Sequence, residues 1–384
     1  MKVLVYEWNG FCQKDLRDAL LALGYNVERI GYVVREKCED AFLEEKLSKR
    51  LKNGYDFMMS FNFYPSVAKC CKEAGIPYLS WIYDGEDMGL YHNSVFFDTN
   101  YIFSFDSAMV EGLKAKGVEH IYFMPLGVNV KRLDAIPFVP EEQEKFQCDV
   151  SFIGNLYLNK KSLDSLSLSD YAKGYIEGIL KAQVLINFSS LMNELVTPKL
   201  IDFIEEQYYQ MDSRYNITKQ AAIRNLMATS ITIRERFYIM RKLSEHYPVD
   251  LYTYSLTDKL PNVRMKGVAG YFTTMPLVFR YSKINLNITH RMIQTGVPLR
   301  IMDVLGAGGF LVTNYQKDME ERFQDGEHLV IYYSAEDLIE KVRFYLEHEE
   351  ERRRIAHNGH KLVGEEYTME KLLSKMFQIA GVTT

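Results

Sequence analysis

Cysteine is scarce in this chain of 384 residues: five occur, Cys12, Cys38, Cys70, Cys71 and Cys148. The number is odd and no CxxC spacing is present, which argues against a disulfide framework or a zinc site and favours reduced thiols in the cytoplasm. No apolar run approaches the ~20 residues that a membrane-spanning helix needs. The opening MKVLVYEWNG turns acidic too soon for a secretory signal. A soluble, cytoplasmic protein is therefore expected, with peripheral membrane contact left open. Excess positive charge is also missing. The 46 Lys and Arg against 51 Asp and Glu give a net charge of −5, which argues against a general nucleic-acid or polyanion binder. Neither an internal repeat nor a low-complexity tract is found.

What is present is ordinary globular material: 47% hydrophobic and 25% charged residues, enough for large cores without staples. The length favours two domains. Tyrosine is abundant at 27 residues; its amphipathic ring suits sugar stacking and ordinary cores equally.

The first 130 residues alternate between two patterns. KVLVYEW, NVERIGYV, YDFMMSFN, IPYLSWIYD, TNYIFSFD and HIYFMPLGVN read as buried strands. Helix-like segments separate them, several closed by glycines such as Gly75 and Gly117. Strand–helix–strand repetition predicts parallel pairing and an α/β doubly wound sheet. PFVPEEQEKFQ (137–147) reads as a linker. CDVSFIGNLY then opens a second sheet, interrupted by a helical insertion at about 161–245 and resumed by VDLYTYS, KINLNIT and HLVIYYS. The division expected is 1–138, then 148–370 with its insertion. Residues 371–384 remain as a C-terminal tail, for which the N-terminal domain is a candidate packing partner. Two such domains face a cleft, and ligands of these sheets bind beyond the carboxyl ends of the strands.

The segment PLRIMDVLGAGGFLVTN (298–314) combines several suggestive features. Pro298 suits a first helical turn, and a helix start attracts phosphate through its free N–H groups. Val297, Ile301 and Val304 share an apolar face, leaving Arg300 and Asp303 together on another. A carboxylate there can accept two ribose hydroxyls. Gly306, Gly308 and Gly309 permit a sharp turn and a close ligand approach. The plainer alternative is an Arg300–Asp303 ion pair followed by a glycine-capped turn.

From INLNITHRMIQTG through this segment to HNGHKLVGEEYT, the chain resembles the C-terminal domain of CgeB-like, spore-maturation type glycosyltransferases. The first half, through YLSWIYDGED and YIFSFD…MPLGVN, is more loosely similar to the domain that often precedes it. The resemblance implies a GT-B architecture: two Rossmann-like domains facing a cleft, a nucleotide-diphosphate sugar on the second and an acceptor protein or glycan on the first. It implies no cofactor and no metal. Asp303 falls where relatives carry a ribose-binding Glu. Thr295, eight residues earlier, stands where many retaining relatives hold a second Glu. Gly308 and Gly309 match the turn after the helix, and Gly154 with Asn155 resembles the loop that opens the second domain. Lys160 or Lys161 falls near the position of a diphosphate-binding cation. A leaving diphosphate develops negative charge, for which Arg291, Lys160, Arg300 and His290 are candidates.

On the acceptor side, Asp84, Glu86 and Asp87 follow a buried strand, where a carboxylate could deprotonate a hydroxyl. Asp84 is the candidate base; an acidic capping loop is the alternative. Asp106 is a second strand-end acid and equally a helix N-cap. Asn9 and Gly10 mark an acceptor loop or an ordinary turn. A nucleotide-sugar epimerase, or a non-catalytic nucleotide- or glycan-binding assembly protein, fits the same scaffold.

Overall fold

The computed structural model describes residues 1–8, 10, 12–34, 39–85, 87–186, 191–208 and 214–383. Glu86, Cys38 and the candidate acceptor residue Asn9 lie outside the described residues.

Two six-stranded sheets carry the chain. The first is built from β1 (Lys2–Glu7), β2 (Asn26–Gly31), β3 (Phe57–Phe61), β4 (Tyr78–Ile82), β5 (Asn100–Ser104) and β6 (Ile121–Phe123). Its order is β2-β1-β3-β4-β5-β6 and every pairing is parallel. The second comprises β7 (Cys148–Ile153), β8 (Val249–Tyr252), β9 (Arg264–Gly267), β10 (Ser282–Asn287), β11 (Leu311–Asn314) and β12 (Val330–Tyr332). Its order is β12-β11-β10-β7-β8-β9, again wholly parallel. The architecture is α/β with two doubly wound, Rossmann-like sheets. The six strands expected in the first half all form; β1, β3, β4 and β5 are covered on both faces, whereas the edge strands β2 and β6 are partly exposed. Only β9, RMKG, escapes a sequence reading. It is a half-exposed edge strand with no apolar pattern.

Between β7 and β8 lie the insertion helices Asp170–Leu185, Met192–Leu195, Pro198–Tyr208 and Lys219–Ser244. They enclose an apolar cluster of their own, including Leu180, Leu200, Met227 and Ile231. The final helix, Met369–Ala380, returns to the first half. Phe377 packs on Tyr25 and Phe57 at ring-centroid distances of 4.8 and 5.3 Å, and the Tyr25 hydroxyl donates to the Val382 carbonyl at 2.9 Å. This closing helix ties the chain's end to its beginning.

The order reversal in each sheet positions the site. In the second sheet the chain runs one way from β7 and the other way from β10, so a crevice opens at their carboxyl ends. In the first sheet the reversal falls between β1 and β3.

Candidate functional site

A cleft of about 420 Å³ occupies the switch point of the second sheet and reaches the first half at Tyr83 and Asp84. Among the sequence-derived candidates it brings together Asp84, Gly154, Asn155, His290 and Arg300.

Gly154 leaves β7 under the Phe152 ring, which would lie 2.7 Å from an added Cβ. Asn155 follows, and its Oδ1 accepts from the Tyr157 backbone N–H and the Ser255 hydroxyl at 2.6 and 2.9 Å. Above this loop lies Arg236, on the long insertion helix and buried to 6% exposure. Its guanidinium donates to the carbonyls of Asn155 and Ile288, the latter at 2.6 Å. It lies over the rings of Phe152 and Tyr157 at 5.2 and 5.0 Å. Among the described residues no carboxylate forms an ion pair with it, and its Nε has no hydrogen-bond partner. Burial pushes its pKa down. A buried cation without a counter-ion is costly unless an anion completes the site.

His290 follows β10 and stacks edge-on against Tyr157 at 4.5 Å. Burial, then the charges of Arg236 and Lys160, hold its pKa down at about 3. The ring is neutral at ordinary pH. Its Nδ1 accepts the Met292 N–H at 3.1 Å, so the proton resides on Nε2 as a donor. Lys160 is exposed, and among the described residues it has no carboxylate partner. Arg291 is placed differently. Its guanidinium forms a buried two-point pair with Glu235, at 2.9 and 2.7 Å, away from this cleft.

Pro298 N-caps the helix Leu299–Gly306, and Pro298, Leu299 and Arg300 line the cleft at the helix start. Asp303 lies one turn further along the helix, outside the cleft lining and buried to 4% exposure. Its two oxygens accept from the Tyr271 hydroxyl at 3.0 Å and from Arg300 at 3.1 Å. Burial raises its pKa to about 6, against the pull of Arg300 and Tyr271. The Cys12 thiol in turn donates to Tyr271 Oη at 2.8 Å, so Tyr271 connects Asp303 to the loop after β1. Gly10 is half-buried in that loop. Gly308, with φ +76°, and Gly309 form the turn into β11, outside the cleft lining. An added Cβ on Gly309 would lie 2.6 Å from the Phe279 carbonyl oxygen, so tight packing is what demands glycine there.

Across the cleft, Asp84 follows β4. Asn62 Nδ2 donates to Asp84 Oδ2 at 2.7 Å, and Asn62 Oδ1 accepts from the N–H groups of Tyr83 and Asp84 at 2.9 and 3.1 Å. Asn62 is buried and holds a left-handed φ of +60°, a conformation that asparagine tolerates better than most residues. Asp87 is turned inward, accepting the Phe63 and Gly89 N–H groups at 2.6 and 3.0 Å.

Asp106 N-caps the helix Ser107–Ala115 through Ala108 and Met109, as one of its two sequence readings holds. Its carboxylate also accepts the Gln294 N–H at 2.6 Å and lies 2.8 Å from the Thr295 hydroxyl. Asp318 lies 3.1 Å from that hydroxyl and accepts from the Ser107 hydroxyl at 2.6 Å. Thr295 thus sits in a polar clasp between the halves, outside the cleft lining.

Sequence reasoning passed over Arg236, Tyr157, Tyr271 and Asn62. Arg236 is hidden in TIRERFYIM, where helical periodicity marks no one charge as special. Tyr271 had a local signal in KGVAGYF, whose glycines flank a loop. Among the described residues no group of three His, Cys, Asp or Glu is gathered as for a metal, and no helix is long and apolar enough to cross a membrane.

Residues 234–378 match the family model described as glycosyl transferase-like. No curated protein matches the chain. Among solved structures, Anabaena HepE in complex with UDP-glucose is similar at 10% identity and TM-score 0.56, covering 99% of both chains. A glycosyltransferase from Rickettsia africae is similar at 10% identity and TM-score 0.55, covering 99% of this chain and 97% of its own. WaaG, a glycosyltransferase involved in lipopolysaccharide biosynthesis, matches at 11% identity and TM-score 0.53, over 99% of this chain and 100% of its own. The chain therefore has the two-sheet GT-B fold of glycosyltransferases, with a glycosyl transferase-like region in its second half.

Proposed function

We propose that the protein is a CgeB-like glycosyltransferase that moves a sugar from a nucleotide-diphosphate sugar to a hydroxyl of a protein or glycan, without a metal. The observation that carries this reading is Arg236: a buried cation with no carboxylate partner among the described residues, at a strand switch point beside a neutral His290. In this proposal 148–370 forms the nucleotide-sugar domain and 1–138 the acceptor domain. The buried, free thiols of Cys12, Cys70, Cys71 and Cys148 suit a cytoplasmic enzyme.

Transfer forms a bond from the acceptor oxygen to the anomeric carbon and breaks the bond from that carbon to the diphosphate. The acceptor proton passes to Asp84, which Asn62 holds in place. The departing diphosphate takes the electron pair. Arg236, the His290 Nε2–H, Lys160 and the helix start at Leu299 are fixed donors or charges suited to that negative charge. Asp303 would accept the ribose hydroxyls once the Tyr271 hydroxyl yields its place on Oδ1.

A thermal-shift series with nucleoside diphosphates, UDP first because HepE binds it, tests the proposal. A ligand at 100 times its Kd should stabilise the fold by about 2.7 kcal/mol. The shift is expected in the native chain and greatly reduced in Asp303→Ala. No shift with any nucleoside diphosphate would overturn the donor site, and an undiminished shift in Asp303→Ala would remove the ribose assignment.

A further inference from the structure

The loop after β10, residues 289–297, begins in the cleft and ends against the first sheet. Thr289, His290 and Ile293 line the cleft. The second half holds the loop along its length. The Thr289 N–H donates to Asn314 Oδ1 at 2.8 Å, the Ile293 N–H to the His290 carbonyl at 3.0 Å, and the Asp318 N–H to the Thr295 carbonyl at 3.0 Å.

The first half meets this loop at two strand ends. Beyond β5, Asp106 Oδ2 accepts the Gln294 N–H at 2.6 Å, the Ala108 N–H donates to the Thr295 hydroxyl at 3.1 Å, and Asp318 Oδ2 accepts the Ser107 N–H at 2.9 Å. Gly296 comes so close that an added Cβ would lie 2.7 Å from the Phe105 carbonyl oxygen. Beyond β4, Gly85 meets Ile293. An added Cβ on Gly85 would lie 2.7 Å from Ile293 Cγ1 and 3.3 Å from the Ile293 backbone nitrogen. Neither glycine has a positive φ, so the approach of the opposite half, and not the turn, is what excludes a side chain. The loop is thus wedged between two strand ends with no room for a methyl group at either contact. Gly85 directly follows Asp84, and Ile293 stands three residues after His290. The contact therefore links the base to the donor side through short lengths of chain.

Resting on the transferase reading, we infer that Gly85 is a positioning residue: its contact with Ile293 sets how near the Asp84 carboxylate stands to the donor, while the clasp of Asp106, Ser107, Thr295 and Asp318 holds the loop at that setting. Asn62 orients the carboxylate, and Gly85 fixes its distance. A base must lie within hydrogen-bond reach of the proton it removes, and a misplacement of about 1 Å can cost on the order of 10²-fold in rate.

A cycle of four proteins tests this: native, Gly85→Ala, Ile293→Ala and the double variant. Each is assayed for release of UDP from a panel of UDP-sugars, UDP-glucose first, with water as the acceptor that gives its proton to Asp84. UDP affinity is measured by calorimetry, and unfolding curves establish that each protein is folded. Gly85→Ala is expected to lower kcat at saturating donor by about tenfold or more, with UDP affinity unchanged because Gly85 lies outside the cleft lining. Ile293→Ala removes the atom that the new methyl group would strike. In that background the same Gly85→Ala change should cost less than about threefold, since the misplacement is relieved. A glycine needed only for folding would show no such rescue of kcat from the opposite half. Native kcat in folded Gly85→Ala, or an equal loss in both backgrounds, would overturn the positioning role. Should Gly85→Ala not fold, Ile293→Ala alone decides. Loss of the stop should lower its kcat several-fold, and a native kcat would overturn the proposal. Failure of the native chain both to bind UDP and to release it from any sugar of the panel would instead overturn the transferase reading.

Discussion

Asn62 spends both ends of its amide on the turn that carries Asp84, and it holds a left-handed φ of +60° to do so. The residue works through another group, so its loss should alter how Asp84 behaves while the fold persists. Asn62→Ala is expected to lower the rate of donor turnover about tenfold or more, with nucleotide affinity unchanged. Asn62→Asp places a second carboxylate beside Asp84 and should move the acidic limb of the pH–rate profile upward. A profile identical to that of the native protein would show that Asn62 has no hold on the base. Asp303 has its own pH signature. Its buried carboxyl is held at about 6, so in the empty protein it carries a proton below that pH. Ribose hydroxyls bind the charged form, so nucleotide affinity should be constant above pH 6. Below it, affinity should fall by up to tenfold per unit as binding has to expel the proton. His290, held at about 3, contributes nothing over this range. Calorimetry from pH 5 to 8 on native protein and Asp303→Asn checks this. A pH dependence that survives in Asp303→Asn would assign it to another group.

At the scale of elements, the helix Leu299–Gly306 and the turn after it have separate tasks. The helix start lines the cleft, whereas Gly308 and Gly309 allow the chain to enter β11 beneath Phe279. Gly309→Ala should destabilise the fold by about 1–3 kcal/mol through overpacking, with nucleotide affinity unchanged in the folded protein. Denaturant unfolding with calorimetry separates the two effects; lost affinity at full stability would return Gly309 to the binding surface. Strands such as KVLVYE and FMMSF were readable because burial on both faces leaves a continuous apolar run. The β9 segment was not, because an edge strand held mainly by backbone pairing carries no such pattern. Glycine turns were also readable, but their purpose was not. The same residues serve a ligand or a crowded core, and only the neighbours of an added Cβ tell which.

For the whole molecule, the two halves meet through contacts that no local pattern announces. Asp106, Thr295, Ser107 and Asp318 join residues 188 to 211 positions apart, and Cys12 meets Tyr271 across 259 positions. The sequence places Asp84, Gly154 and His290 at strand ends, and topology then brings them to one cleft. Arg236 arrives by another route, on a helix inserted between β7 and β8 whose path depends on packing throughout the second half. The order of strands was thus legible from residue patterns, while the cation at the centre of the site became visible only with the fold.

Arg236 also gives the most direct test. UDP affinity should be measured by calorimetry for native protein, Arg236→Lys and Arg236→Met, with unfolding curves to establish that each variant is folded. Loss of a charge-assisted grip on the diphosphate should cost about 1.5–3 kcal/mol, a weakening of roughly ten- to hundredfold in Arg236→Met, with Arg236→Lys between the two. A folded Arg236→Met protein that binds UDP as tightly as the native chain would contradict the placement of the nucleotide in this cleft.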